Sequence, residues 1–464
     1  MNRSKILFLF VCLLFTSPKL MAATAKGILP PDSTTSLVDR SSALLMIEDA
    51  KKMYLEGRVR DALIKFRQAA IKDPNSWRAQ LWIAKSHYHL DNYGYALQYG
   101  EKALSIDSSS IDKEVYDIVG SAYHRMGDLD KALQYYELAL AKMSKSAAKE
   151  NKINEKIASC KFAAEESGKA MFAEKVRLQD GVNSGYNDYS PVLTKQGKEL
   201  YFTSRRNTTT GGGLNPEEDQ YFEDIYRAVW NTSTKEWDSI SNTSDILGRL
   251  NATGFESISY ISPDGNTAYM TINNEAVDEK ITTGSSDIFE TQLTNKNKWA
   301  NPKKINNKSI NTSYFDGAPT LTADGNTMSF ASARNYEKRM TDIYMVTKTG
   351  KTWGTAVVLS DSVNTAGNET TPYITPDGRF LFFSSDTHLG MGGYDIFVSE
   401  NLGNGKWSKA KNLGSTINSV NNDTHFQYYP ELKKAMFSTF VLVGQKASMD
   451  IFEIDMKDFK LPLK

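Results

Sequence analysis

Between residues 183 and 423 an aliphatic residue and Asn are followed, always five residues after the Asn, by a carboxylate. The pairs are Asn183 and Asp188, Asn251 and Glu256, Asn311 and Asp316, Asn364 and Glu369, and Asn418 and Asp423. A second pattern keeps step with the first, an Asp-Ile-aromatic triplet starting at Asp224, Asp287, Asp342, Asp395 and Asp450. A turn such as SPDGN, TADGN or TPDGR precedes the triplet. An apolar strand follows the turn, in which Phe202, Met270, Phe330, Phe383 and Phe437 hold one position. The first and last copies replace the Asp-Gly turn with KQGK and PELKK. A chain with such a period builds one supersecondary unit again and again, and no single unit can bury its apolar face alone.

Units of ~40–55 residues holding four short strands each indicate a β-propeller, in which radial packing protects most sheet edges. In the fourth copy Thr371-Pro372-Tyr373 supplies the inner strand, Phe380 to Phe383 the second and Asp395-Ile396-Phe397 the third. The segment KWSKAKNL supplies the outer one. The segment AEKVRLQDG precedes the first pair, matches the outer-strand segments and has no blade before it. Residues 173 to 179 are therefore expected to pair with the last blade and close a ring of five. The tail after Asp450 is the competing strand.

Upstream, the period changes. Gly57, Ala62, Phe66, Ala69 and Pro74 mark a helix–turn–helix, Ala96 and Ala103 repeat its alanines, and Gly127, Ala132, Tyr136 and Ala139 repeat them again. Small residues at a helix crossing let two helices approach, and the aromatics fill the gap to the next pair. Spacing and residue types resemble the tetratricopeptide repeat. The second copy departs by carrying Gly100 where the others carry Phe66 and Tyr136. A run over about 147–168 with Ile153, Ile157, Cys160 and Ala164 on one stripe would cover the open end of the array. Cys160 reads there as a small buried hydrophobe.

The fold class is thus α + β in two domains. Residues 43–168 form a helical solenoid with a capping helix, and residues 172–464 form a five-bladed propeller. Residues 1–25 read as a secretory signal peptide, with Arg3 and Lys5 before the apolar run Ile6 to Phe15 and a small-residue site at Ala23-Thr24-Ala25. Residues 26–42 read as a linker. A mature chain from about Lys26 is expected to be soluble and exported, with only Cys160 remaining and no intramolecular disulfide. The sequence holds 55 basic and 55 acidic residues. That balance gives no footprint for nucleic acid, and no later segment is apolar enough to span a membrane.

The strand-rich half resembles the WD-repeat-like propellers of the TolB type. The resemblance is carried by the Pro-Asp-Gly turns, by Phe202, Ser204 and Arg206 with Phe330, Ser332 and Arg334, and by Asp-Ile-Tyr. An exported tetratricopeptide array joined to such a propeller is similar to outer-membrane-associated proteins of Bacteroidetes. The likeness is greatest to the OmpA-family component that tethers type IX secretion to peptidoglycan. It departs from that component in having no lipoprotein cysteine and no peptidoglycan-binding domain after the propeller. What the resemblance implies is a non-enzymatic periplasmic or outer-membrane-associated scaffold whose partners are envelope proteins, with no cofactor.

Candidate sites follow from the repeats. Asp188, Glu256, Asp316, Glu369 and Asp423 begin inner strands, where they could form a ring of acids holding a cation or a basic peptide. Alternatively, each accepts backbone N–H bonds and locks blade to blade; fivefold repetition favours the second use. Arg206 and Arg334 are expected to pair with Asp224 and Asp342 of their own blades. Loops 207–223 and 387–394 break the repeat and are candidate contact loops. In the array the groove candidates are Tyr54, Lys85, His87, His89, Tyr116 and Tyr123, of which Lys85 and His89 are the leading pair. No metal-ligand spacing, serine elbow or catalytic histidine stands out. A glycan-binding or glycoside-hydrolysing propeller is the alternative, because such enzymes use paired carboxylates. Five equivalent acids argue against an asymmetric pair.

Overall fold

A computed structural model describes residues 35–106, 112–210, 214, 220–252, 254–273, 286–335 and 340–460. The expected signal peptide and residues 26–34 of the expected linker lie outside the described residues, as does part of loop 207–223.

Among the described residues eight helices come first: α1 (Leu37–Leu55), α2 (Val59–Lys72), α3 (Trp77–His89), α4 (Tyr93–Ile106), α5 (Glu114–Arg125), α6 (Leu129–Lys142), α7 (Lys145–Glu150) and α8 (Ile153–Ser167). The array begins at Leu37, earlier than the expected linker allowed, because Ser36 caps α1 through the amide of Asp39. Ser76 and Asp128 cap α3 and α6 in the same way. Between the paired helices Gly57 and Gly127 adopt φ of +86° and +82°, the left-handed conformation that ends a helix. The second copy puts Asp91 there at +56°. Ala62, Ala69, Ala96, Ala103, Ala132 and Ala139 are fully buried at the helix crossings. Gly100 has a physical reason: a Cβ there would lie 2.6 Å from Val119 Cγ2, so α5 occupies the space that Phe66 and Tyr136 fill elsewhere. Helix α8 lays Ile153 and Cys160 on the core of the last repeat.

The five-bladed β-propeller follows. The inner strands are Asp188–Thr194, Phe255–Ile261, Asp316–Leu321, Glu369–Ile374 and Asp423–Tyr429. Each is followed outward by a second and a third strand, all antiparallel. The repeated aromatic positions face each other across these strands: Phe202 with Tyr226, Met270 with Phe289, Phe330 with Tyr344, Phe383 with Phe397 and Phe437 with Phe452. Four of the five are aromatic pairs stacked with centroids 5.7–6.2 Å apart. Burying one such ring stabilises the sheet by about 1.5–3 kcal/mol.

Lys175–Arg177 forms the outer strand of the last blade, with Lys175 opposite Ile454 and Arg177 opposite Phe452. The N-terminal segment therefore closes the ring. The tail instead turns back so that Phe459 packs on Phe172, at 5.2 Å between centroids.

The solenoid is docked on the ring. His124 Nε2, on α5, donates to the carbonyl of Met391 at 2.8 Å. Arg125 donates to Val420 O at 3.2 Å, and Ser159 of α8 to Gly390 O at 2.9 Å. The hairpin of the last blade, Lys434–Val443 and Lys446–Asp455, reaches the second repeat, where Ala447 N donates to Asp91 O at 3.1 Å.

Candidate functional site

The repeated Asn is a staple between blades. Asn183 accepts from Ile451 N at 2.7 Å and donates to Ile451 O at 2.9 Å. Asn251 does the same to Ile225, Asn311 to Ile288, Asn364 to Ile343 and Asn418 to Ile396. Each side-chain amide thus pairs like a strand residue with the isoleucine of the preceding blade's triplet. This explains why the two sequence patterns keep step.

The five carboxylates stand five residues on, and all are fully buried. Asp188 accepts from the amide and hydroxyl of Ser184 at 2.6 and 2.7 Å. Asp316 does so from Thr312, Glu369 from Thr365 and Asp423 from Ser419. These bonds fold the loop after four of the five Asn residues into a fixed turn. Glu256 alone lacks the hydroxyl, because Ala252 occupies the position. Four of the five acids are thus spent on bonds within the chain. Across the channel, Gln427 of the last blade donates to Ser259 O of the second at 3.2 Å.

The arginines are a correction. Arg206 pairs with Asp188 at 2.6 Å and Arg334 with Asp316 at 2.7 Å, not with Asp224 and Asp342. Each guanidinium lies over the triplet tyrosine, Tyr226 or Tyr344, at 4.5 and 4.4 Å, and reaches inward past it. There it also donates to the loop carbonyls of Val182 and Ile310. The triplet aspartates have other partners. Asp224 takes Thr210 and Asn242, Asp287 takes Lys304, and Asp450 takes Arg177.

Loop 387–394 makes contacts within the chain, where its Gly390 and Met391 carbonyls accept from Ser159 and His124 of the array. Asp395 accepts from the amides of Met391 and Gly392 and curls the loop toward α5 and α8. Its glycines are required by proximity: a Cβ on Gly392 would lie 2.2 Å from the Val420 carbonyl, and one on Gly393 2.3 Å from Arg125. Burial, and then the charge of Asp423, push the Asp395 carboxyl up to about 7. His388 donates to Val363 O at 2.8 Å and holds the start of the loop. Burial pushes His425 down to about 3, and its ring packs on Tyr189.

In the array the groove candidates divide. Tyr54 and Lys85 converge on Trp82, which the sequence reading overlooked, and His89 lies against Tyr54. Lys51 and Lys85 lie over the indole at 5.4 and 4.6 Å, Tyr54 meets it edge-on at 5.4 Å, and His89 meets Tyr54 at 5.6 Å. Lys85 is also paired with Glu114. His87 turns the other way, buried between Tyr95 and Tyr99 and within 3.1 Å of Arg67, and burial pushes it down to about 4. Tyr116 belongs to the core. Tyr123 is bonded to Glu101 and stacked on Tyr135. A tryptophan at i+3 before Lys85 and i+7 before His89 is the signal that could have marked the patch.

Among the described residues no three His, Cys, Asp or Glu side chains gather as a metal centre.

Residues 56–111 match the tetratricopeptide repeat family. No curated protein matches the chain. Among solved structures, the array is similar to the first tetratricopeptide domain of human RPAP3, at 20% identity and a TM-score of 0.23, covering 26% of this chain and 97% of that one. It is also similar to the Yersinia enterocolitica type III secretion chaperone SycD in complex with a peptide of the translocator YopD. That match has 16% identity and a TM-score of 0.25, over 27% of this chain and 97% of that one. The strand-rich half is similar to BT0996 in its RGII complex, at 11% identity and a TM-score of 0.42, over 61% of this chain and 90% of that one. At such identities neither ligand nor chemistry transfers.

A tetratricopeptide array joined to a propeller is the build of a protein-interaction scaffold, and that is the class to which the two domains point.

Proposed function

We propose that this chain is an exported, non-enzymatic adaptor of the cell envelope. It holds one protein partner on the array and presents the propeller to another. The observation that carries this reading is the docking of α5 and α8 on loop 387–394, which fixes two binding modules in one orientation. The use of four of the five repeated acids in internal bonds supports a structural ring rather than a catalytic one. The leader-like segment before Lys26 supports a periplasmic address, and the resemblance to TolB-type and type IX secretion components supports an outer-membrane assembly as the place of work. Among the described residues no helix is long and apolar enough to cross a membrane.

The patch of Lys51, Trp82, Lys85 and His89 is the surface assigned to the array's partner. Cross-linking in cells followed by capture of the full chain should recover envelope proteins. Alanine at Trp82, Lys85 and His89 should lose at least one of them. Recovery of cytoplasmic chaperones alone would defeat the adaptor reading. Hydrolysis of a chromogenic glycoside, or specific binding on a glycan array, would replace it with a sugar-handling propeller.

A further inference from the structure

Each junction between blades brings a triplet aspartate against the inner-strand acid of the next blade. Burying two carboxylates together is costly unless each is bonded or matched by a cation. Two junctions are matched twice over. Between the last blade and the first, Arg177 holds Asp450 at 2.6 Å and Arg206 holds Asp188 at 2.6 Å. Between the second and third, Lys304 holds Asp287 at 2.6 Å and Arg334 holds Asp316 at 2.7 Å. At the junction of the fourth and fifth blades, two amides and Asn412 serve Asp395, and the charge of Lys175 bears on Asp423. Glu369 is bonded by Thr365 and Ser385.

The junction of the first and second blades is different. Glu256 N donates to Glu223 O at 3.4 Å, which sets this acid beside Asp224. Asn251 clamps the neighbouring Ile225. Both acids are fully buried. Asp224 receives Thr210 and Asn242 on Oδ2, while its Oδ1 has no partner. Both oxygens of Glu256 have none, and the amides of Ala252 and Gly254 approach it without hydrogen-bond geometry. Among the described residues no lysine or arginine is paired with either acid.

The sequence has removed the donors here and kept the acid. Where the other copies place Ser184, Thr312, Thr365 and Ser419, this one has Ala252. Where they place Ser204, Ser332, Ser385 and Thr439, it has Ile272. Two buried carboxylates with bare oxygens are costly at a junction between blades unless something else satisfies them. Three unpartnered carboxylate oxygens lie at this junction, against one each on Asp287, Asp423 and Asp450 at others, and the ligand that satisfies an all-oxygen set is a hard cation.

The geometry points to a divalent cation of the calcium class bound by Glu256 and Asp224 at the junction of the first and second blades. Such an ion would do for this junction what Arg206 and Arg334 do for two others. The remaining ligands would be main-chain carbonyls and water, the usual complement for calcium.

The test uses the full chain, stripped with EDTA and titrated with calcium chloride by calorimetry and thermal melting. The wild type should bind one ion and melt several degrees higher with calcium than with EDTA. Glu256→Gln, which keeps shape and removes charge, should lose the calcium-dependent rise while folding normally in EDTA. Ala252→Ser, which restores the hydroxyl present in the other copies, should weaken calcium binding by tenfold or more. A rise of equal size in Glu256→Gln would overturn the proposal. So would a wild type whose melting is indifferent to calcium.

Discussion

His124 Nε2 and Met391 O stand 2.8 Å apart, joining a helix of the third repeat to the glycine-rich loop of the fourth blade. Because a carbonyl only accepts, the imidazole carries its proton on Nε2, leaving Nδ1 to face the hydroxyl of Tyr136 at 3.3 Å. A neutral ring is what this position needs.

That requirement gives a pH dependence. Burial and the charge of Arg125 push His124 down to about 4 from an ordinary 6.5. A histidine depressed in the fold contributes stability that is complete above pH 6.5 and is lost as pH falls toward 4. His124→Gln keeps a donor for Met391 O and cannot titrate. Its melting temperature should therefore fall less than that of the wild type between pH 7 and pH 5. His124→Ala should be destabilised at every pH by about 1–3 kcal/mol, the cost of leaving a buried carbonyl unpaired. Identical pH profiles for the wild type and His124→Gln would remove His124 from the interface energetics.

Two glycines test the docking itself. Alanine normally favours a helix over glycine by about 1 kcal/mol. In α4, however, a Cβ on Gly94 would lie 3.1 Å from the Cα of Gln445 and closer still to its amide. Gly94→Ala should therefore destabilise the chain despite its better propensity, and Gly393→Ala should do the same through Arg125. Overpacking of this kind costs about 1–3 kcal/mol. Limited proteolysis between Gly168 and Glu174 should quicken in both variants.

Arg206 should be needed far more than a surface arginine. Its partner Asp188 is fully buried, and the pair is largely shielded from water. Arg206→Met would strand that carboxylate, at a cost of about 3–5 kcal/mol. Adding Asp188→Asn should recover part of the loss, and chemical denaturation of the two single variants and the double variant measures the coupling. Additive effects would show that the pair is not a unit.

Ring closure makes a prediction about length. A chain beginning at residue 170 keeps Lys175–Arg177 and should fold as a monomer. One beginning at 182 loses that strand and exposes the edge of Lys446–Asp455, a route to aggregation. Equal melting temperatures would mean that the pairing contributes nothing.

The repeats made the architecture legible, because a fixed spacing between Asn and a carboxylate records a contact between neighbouring blades. Closure was legible too, since Lys175–Arg177 looked like an outer strand without a blade. The partners of Arg206 and Arg334 were not. Both arginines follow a second strand that leads to the triplet aspartate, but a guanidinium laid over Tyr226 or Tyr344 points inward. The array's contact with the ring was hidden for a related reason: His124, Ser159 and Gly390 share no periodicity, and only the folded ring brings them together. Trp82 was not legible as a site, because an indole on a repeat helix reads as packing until Tyr54 and Lys85 are seen against it. The odd copy at Ala252 was visible in the sequence, but it acquired meaning once the other four copies showed what their hydroxyls bond.

The closing strand has a temporal consequence. Lys175–Arg177 leaves the ribosome before any blade, yet its partner Phe452–Ile454 belongs to the last of the five blades to be made. Blades one to four can assemble in order while the ring stays open. The N-terminal strand waits unpaired until that blade exists, so the most non-local strand pairing among the described residues cannot form before the other blades have been made. Until it forms, the solenoid is a folded domain on a tether, and the half-built propeller exposes sheet edges to any strand nearby. Arrival of Phe452–Ile454 is then the event that converts two loosely joined parts into a single body.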